Sequence, residues 1–231
     1  EDQKEDLGQK VSKKHLRGAP NYFVAIPITS DLILQRIEDV QELIVYKEPD
    51  LLRALLPRQT MHLTLLVAHL RTEEEVQKAV LALKESKAKV EAVLEGKDLQ
   101  MRFHGIGQFN QAQNQVIYVQ MQEEEQKKLR GIAKAVKESF TAMDLDISGS
   151  KRFRPHLTFL KLSKAPRLRR RGFRRICPDL YRNYEDSYFG SEVFSRMDLC
   201  AMHKKKQESG YYYCECSIYL GSSSREERME Q

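Results

Sequence analysis

The sequence predicts an α+β fold of two pseudo-symmetric lobes, each a mixed or antiparallel sheet with helices outside. Three observations predict it. Short apolar runs suited to strands alternate with longer runs at helical spacing. One strand motif occurs twice, as Met61-His62-Leu63-Thr64-Leu65-Leu66 and as Pro155-His156-Leu157-Thr158-Phe159-Leu160. The surroundings repeat as well: strand, helix, motif strand, helix and hairpin up to Met121, then helix, motif strand and hairpin after it. Such a long, coarse repeat is a duplication rather than a solenoid, and two lobes facing across a pseudo-two-fold bring the motif strands together.

Residues 1–19 are polar and locally basic, with Lys10, Lys13, Lys14 and Arg17, and read as a flexible leader. Tyr22 to Ile28 reads as a strand ended by Pro27 and Thr29-Ser30-Asp31. Ser30 or Asp31 caps a helix to about Val45, with Leu32, Ile33, Ile37, Val40, Leu43 and Ile44 as its stripe. Residues 47–59, with Pro49 and Pro57, form a loop before the first motif strand, from about Met61 to Ala68. Thr72 caps a helix to about Leu94, with Glu75 three residues on and acids in its positive first turn.

Leu99 to Phe109 is a strand broken by a bulge at Gly105-Ile106-Gly107, and it forms a hairpin with Gln115–Met121 across residues 110–114. Glu123 to Met143 is a long amphipathic helix, and the second motif strand spans about 155–162. The basic run Lys164, Arg167, Arg169, Arg170, Arg171, Arg174 and Arg175 is a surface linker. A short helix is expected over 178–188, then a hairpin of strands 192–203 and 211–220. The tail 222–231 reads as disordered, which leaves one bilobal domain over 20–221.

A charged fraction of 31% and a hydrophobic fraction of 41% fit a globular chain. No apolar run approaches membrane-spanning length and no signal peptide is visible, so no membrane partner is expected. Cys177, Cys200, Cys214 and Cys216 read as reduced thiols, which points to cytoplasm or nucleus. Cys214 and Cys216 share a strand face with only His203 nearby, too few ligands for zinc, so no metal is expected. The net charge of +6 suits a partner carrying phosphate.

The motif carries the chemistry. Side chains alternate along a strand, so His62 and Thr64 share one face, and so do His156 and Thr158. The apolar residues between them point into a core. A polar pair repeated on two apolar strands reads as the two walls of one cleft, because unpartnered polar groups are costly to bury. Two imidazoles flanking one phosphate form a complete acid–base set, one taking a proton from an attacking hydroxyl and the other giving one to the leaving oxygen. The hydroxyls of Thr64 and Thr158 can donate to non-bridging phosphoryl oxygens. Arg154 has the strand parity of His156 and can add charge to the phosphate site, although Pro155 disturbs the alternation. His69, His104 and His203 have no matching partner and read as structural or surface residues, and His15 as solvated.

Paired His-x-Thr strands in a two-lobed α+β chain resemble the 2H phosphoesterases, the two-histidine superfamily with an RNA ligase-like fold. Flanking segments narrow the resemblance to the central-domain family of A-kinase anchoring protein 7, also called 18. These are Pro20-Asn21-Tyr22-Phe23, Ile26-Pro27-Ile28-Thr29, His62 to Val67, Gly105-Ile106-Gly107, Pro155 to Phe159, Lys161 to Lys164, Pro178 to Tyr181 and Asp198-Leu199-Cys200. The resemblance runs from about Asn21 to Leu220.

The resemblance implies a cleft for 5′-AMP- or CMP-like nucleotides and cleavage of 2′,5′-linked oligoadenylate. Carried over by motif, His62 and His156 are the acid–base pair and Thr64 and Thr158 the phosphate ligands, with no cofactor. It also implies anchoring of the protein kinase A regulatory subunit through an amphipathic helix after the domain. Here Gly221-Ser222-Ser223-Ser224-Arg225-Glu226-Glu227 follows instead, with no apolar stripe, so anchoring requires a helix outside this chain. The leading expectation is a metal-independent 2′,5′-phosphodiesterase, expected as a monomer, with the linker 164–175 as a candidate RNA contact. The alternatives are a nucleotide sensor using the same cleft with little or no turnover, and a scaffold that keeps the cleft as a relic.

Overall fold

The computed structural model describes residues 18–108, 115–148 and 153–221. Among them the strands form two sheets. The strands are β1 (Tyr22–Pro27), β2 (His62–Ala68), β3 (Gln100–Gln108), β4 (Val116–Met121), β5 (Ile147–Ser148), β6 (Leu157–Lys161), β7 (Tyr188–Val193), β8 (Arg196–Ala201) and β9 (Tyr213–Tyr219). The first sheet has the order β5-β2-β1-β8-β9 and the second β6-β4-β3-β7, with antiparallel pairing in both. The expected α+β class with two sheet lobes and outer helices is observed.

Each motif strand pairs with the strand that precedes its helix. On β1 and β2, Pro27 faces His62 and Ala25 faces Thr64. On β4 and β6, Tyr118 faces Thr158 and Val119 faces Leu157. The lobes are nevertheless interleaved along the chain. The strand expected over 192–203 divides at Phe194 and Ser195: β7 closes the second sheet, whereas β8 returns to β1 in the first. Backbone pairing explains why the break is tolerated, since Phe194 N–H donates to Leu99 O and Ser195 O accepts from Leu220 N–H.

The helices cross in the same way. Helix α1 (Asp31–Lys47) lies against β6 and β7 of the second sheet. Helices α2 (Glu73–Leu94) and α3 (Glu123–Ala142) pack on each other; α2 lies against β8 and β9, and α3 against β2 and β5 of the first sheet and β3 of the second. The start of α1 is set by Ser30, whose side chain accepts from Ile33 N–H; Leu32, expected in its stripe, is 53% exposed. Thr72 accepts from Glu75 N–H at 3.1 Å, and the Glu75 carboxylate accepts from Arg71 N–H at 2.7 Å, which seals the start of α2.

The bulge expected in β3 is present between Phe103 and Ile106, with Gly105 at φ +84°. The helix expected over 178–188 is instead two 3₁₀ turns, Pro178–Leu180 and Arg182–Tyr184. Between them Tyr181 leaves the helical region to bury its ring and donates from its hydroxyl to Gln108 Oε1 at 3.0 Å. In the basic run a short helix, α4 (Pro166–Arg170), is tethered by buried Leu168, and its arginines are exposed. The expected leader up to residue 17, the hairpin connection 110–114 and the tail 222–231 lie outside the described residues.

Two clamps join the lobes. From β7, Glu192 accepts hydrogen bonds at the start of α1 from Thr29 N–H, the Thr29 hydroxyl and Ser30 N–H. Along the other seam, Leu56 N–H donates to Phe159 O at 2.9 Å, and a bridge joins Leu55 to Leu160. The buried Gln41 amide of α1 donates to Leu56 O at 2.9 Å and to Phe159 O at 3.0 Å. Replacing Gln41 with Leu strands the Leu56 carbonyl in an apolar seam. Urea denaturation should show a loss of about 1–3 kcal/mol, the cost of a buried polar group left unpaired.

Candidate active site

The two motifs fold into matching local structures. His62 opens β2, and His156 immediately precedes β6. Each imidazole Nδ1–H donates to the backbone carbonyl two residues earlier: His62 to Thr60 O and His156 to Arg154 O, both at 2.7 Å. A carbonyl can only accept, so this bond fixes the neutral tautomer and leaves Nε2 as the basic nitrogen. Each ring also rests on an aromatic from the neighbouring strand. Phe23 of β1 lies 5.0 Å from His62 between centroids, and Tyr118 of β4 lies 5.0 Å from His156.

The surroundings then diverge. The Thr64 hydroxyl donates to His62 Nε2 at 3.1 Å. Tyr212 meets His62 edge-on at 5.4 Å. Thr158 stands opposite Tyr118 and is half-buried. The exposed Arg154 lies with His156, Tyr118 and Gln120 along a polar cavity of about 550 Å³. A larger cavity of about 630 Å³, lined by Arg58, Arg196, Gln207 and Tyr219, contains neither imidazole.

Glycine spacing shapes the His156 side. A Cβ on Gly107 would fall 2.5 Å from Gln120 Nε2 and 2.8 Å from the Tyr118 ring, so only a bare backbone lets those side chains lie across β3. The aromatic supports Phe23, Tyr118 and Tyr212 were not among the residues expected from the motifs. The parity of Phe23 on β1 and of Tyr118 on β4 was readable, but the approach of all three rings to the imidazoles depends on tertiary pairing.

Lys161 was likewise unassigned, yet its charge acts on both imidazoles and disfavours their protonation. Burial is the leading cause that lowers His62 and His156 below the ordinary imidazole value of 6.5, opposed by their backbone carbonyl partners. The charge of His156 also acts on His62 and lowers it further. The same side of the site continues in cations. Lys206 lies 5.5 Å over the Tyr212 ring, and Lys164, held to Leu55 O at 2.7 Å, is depressed by burial and by Lys206. Such a field favours an anion.

The sequence matches the family described as the AKAP7 2′5′ RNA ligase-like domain over residues 20–220. The chain belongs to that family. It is 41% identical over 222 residues to human A-kinase anchor protein 7 isoform gamma, covering 96% of this chain and 63% of that protein. The chain thus spans less than two thirds of that relative's length. Among solved structures, it shares the fold of TT0787 of Thermus thermophilus, at 19% identity and a TM-score of 0.54, over 87% of this chain and 97% of that one. LigT of E. coli, solved with NADP⁺, matches at 14% identity and a TM-score of 0.52, over 87% of this chain and 98% of LigT. The architecture is therefore that of the 2H phosphoesterases. Among the described residues no helix is long and apolar enough to cross a membrane.

The depressed imidazoles give a pH prediction. The folded state binds fewer protons than the unfolded chain in the window below 6.5, so their contribution to stability is present above 6.5 and is lost as pH falls through their folded values. Replacing Lys161 with Gln removes a positive neighbour from both rings. NMR titration should then show the His62 and His156 midpoints rising together.

Proposed function

We propose that this domain is a metal-independent phosphodiesterase acting on 2′,5′-linked oligoadenylate or a related RNA-derived ester. The observation that carries the proposal is the matched pair of imidazoles, each locked through Nδ1 on a motif carbonyl and each presenting Nε2 as its basic nitrogen. Membership of an RNA ligase-like domain family supports it, as does a fold shared with LigT, which has been solved with 3′-AMP, ATP and phosphate.

The electrostatics support a division of roles. His62 carries the heavier burden against protonation: burial, Lys161 and His156 all act on it. It stays neutral and serves as the general base that takes the proton of the attacking hydroxyl. His156, protonated first, is the general acid that delivers a proton to the leaving oxygen. Thr64 and Thr158 donate to the non-bridging oxygens, and Arg154 stabilises the charge beside His156. The shared field of Lys161, Lys164 and Lys206 favours a ligand with more than one phosphate. The exposed basic run 164–175 is the corresponding contact for longer RNA. Anchoring of protein kinase A, cytoplasmic or nuclear residence and a monomeric state complete this reading. The share of the human relative outside this chain leaves room for an anchoring helix.

Turnover of 2′,5′-triadenylate in EDTA, followed by chromatography, tests the activity. His62→Ala and His156→Ala should each lose about 10²- to 10⁴-fold in rate. An ester with a nitrophenolate leaving group needs no general acid, so it should recover much of the loss in His156→Ala and little in His62→Ala. Equal recovery in both overturns the assignment. Both rings lie below 6.5 in the folded protein, so kcat/KM should already be falling as pH approaches that value from below, because the acid loses its proton there. If the same cleft only senses nucleotide, calorimetry will register AMP binding while no ester is cleaved. RNA binding through 164–175 should weaken steeply with salt and lose slope when Arg169, Arg170 and Arg171 become Gln.

A further inference from the structure

A second reactive feature lies on the same face of the first sheet as His62. Strands β8 and β9 pair in one register from Arg196–Tyr219 to Leu199–Cys216, then slip by one residue, so that Cys200 faces Cys214 rather than Glu215. The slip places two thiols side by side, with Sγ atoms 3.9 Å apart. Directly opposed residues of an antiparallel pair have Cα atoms about 4.5–5.5 Å apart, inside the range a disulfide spans. Closing the bond therefore asks for side-chain rotation rather than strand movement.

The two sulfurs differ. Cys200 is fully buried, beside the Tyr211 hydroxyl at 3.6 Å. Cys214 is half-buried, lines the 630 Å³ cavity and accepts from Gln207 Nε2 at 3.6 Å. Hydrogen bonding from Cys200 favours the Cys214 thiolate, while the same bond and burial hold Cys200 protonated. One thiol is thus presented to solvent as the attacking group and the other is held behind it as the resolving group.

Asp198 lies within 4.8 Å of both sulfurs, so the three could converge on a soft cation. Its carboxylate is already engaged, accepting from the Ser217 hydroxyl at 2.6 Å, the Tyr211 hydroxyl at 2.8 Å and Arg196 Nε at 3.2 Å. That network favours chemistry between the sulfurs over metal ligation.

We propose that Cys200 and Cys214 form a reversible cross-strand disulfide, an oxidation-sensitive site coupled to His62. With a hydroperoxide as oxidant, the Cys214 thiolate attacks the outer peroxide oxygen. The O–O bond breaks, the leaving alkoxide or hydroxide takes a proton, and Cys214 becomes a sulfenic acid. The Cys200 sulfur then attacks the Cys214 sulfur, expelling hydroxide that leaves as water with the Cys200 proton. Overall, two thiols and one hydroperoxide give a disulfide, an alcohol or water, and one further water. Such disulfides in reducing compartments are transient and regulatory.

Coupling follows from packing. Cys200 and Cys214 share one apolar cluster with Phe23, Tyr211 and Tyr212. Phe23 and Tyr212 are the rings that flank His62, at 5.0 and 5.4 Å. Drawing the sulfurs from 3.9 Å to a bonded distance of about 2 Å breaks the Cys200–Tyr211 contact and shifts the Tyr211–Tyr212 pair behind the imidazole.

The test is peptide mapping of the full chain after mild peroxide and alkylation. The expected result is a dithiothreitol-reversible link between the Cys200 and Cys214 peptides, with Cys177 and Cys216 still alkylated. Cys200→Ser should leave a sulfenic acid at Cys214 that dimedone traps. Mapping of the wild-type chain decides the matter even if that variant fails to fold. A Cys214 that overoxidises while Cys200 stays alkylated, or a link to Cys177 or Cys216, overturns the site. The NMR shift of the His62 imidazole should move on oxidation and return on reduction; a linked protein with His62 unmoved overturns the coupling. Neither readout needs turnover, so failure here is distinct from failure of the phosphodiesterase assignment.

Discussion

The site exists because a short seam holds two sheets at a fixed offset. His62 follows the segment that contains Leu55 and Leu56, and His156 immediately precedes the strand that contains Phe159 and Leu160. The backbone bond from Leu56 to Phe159 and the bridge from Leu55 to Leu160 tie those segments directly. Gln41 completes the tie from α1, its amide satisfying a carbonyl on each side. In an apolar seam an amide that lost its partners would cost more than the bond itself is worth, so the interaction specifies one offset rather than merely adding stability. A shift of one residue along this seam would turn the faces of β6 over and carry Thr158 away from the cleft.

On that frame, near-identical motifs acquire different chemistry. Both imidazoles are anchored in the same way, and both are pressed towards neutrality by burial. The difference lies in what surrounds them: Tyr212, the Thr64 hydroxyl and the charge of His156 at His62, against Arg154 and an open polar cavity at His156. Unlike surroundings around two titratable groups are what the proposed paired acid–base mechanism needs. The duplication supplies symmetric hardware, and the neighbours break the symmetry.

Much of this was legible in the sequence. The alternation around His62 and His156, the cap at Thr72 and the bulge at Gly105 depend on neighbours a few residues away, and those positions appear in the structure as read. What escaped depends on distant partners. Phe194 and Ser195 look like the middle of a strand, and only the bonds to Leu99 and Leu220 show that the chain changes sheets there. Tyr181 sits in what reads as a helix, but a place for its ring in the core and Gln108 as a hydrogen-bond partner favour two short turns instead. Lys161, at the end of a motif strand, looks like an ordinary solvent-facing lysine until the sheets bring both imidazoles within reach of its charge.

The helix exchange explains how a small domain can keep such a cleft open. A cleft lined by polar side chains contributes little apolar burial, and its walls tend to close or to splay. Here α1 leaves the first sheet to cover the second, while α3 lies across both, on β2 and β5 of the first and β3 of the second. Neither lobe can therefore swing without unpacking a helix that belongs to the other in sequence. The apolar area buried outside the sheets, from Ile33, Ile37 and Ile44 on one side and Leu129, Ile132 and Val136 on the other, resists motion at the cleft. Helices shared in this way restrain the walls that carry the two motif strands, and restrained walls are what the proposed contact of one phosphate with both imidazoles requires.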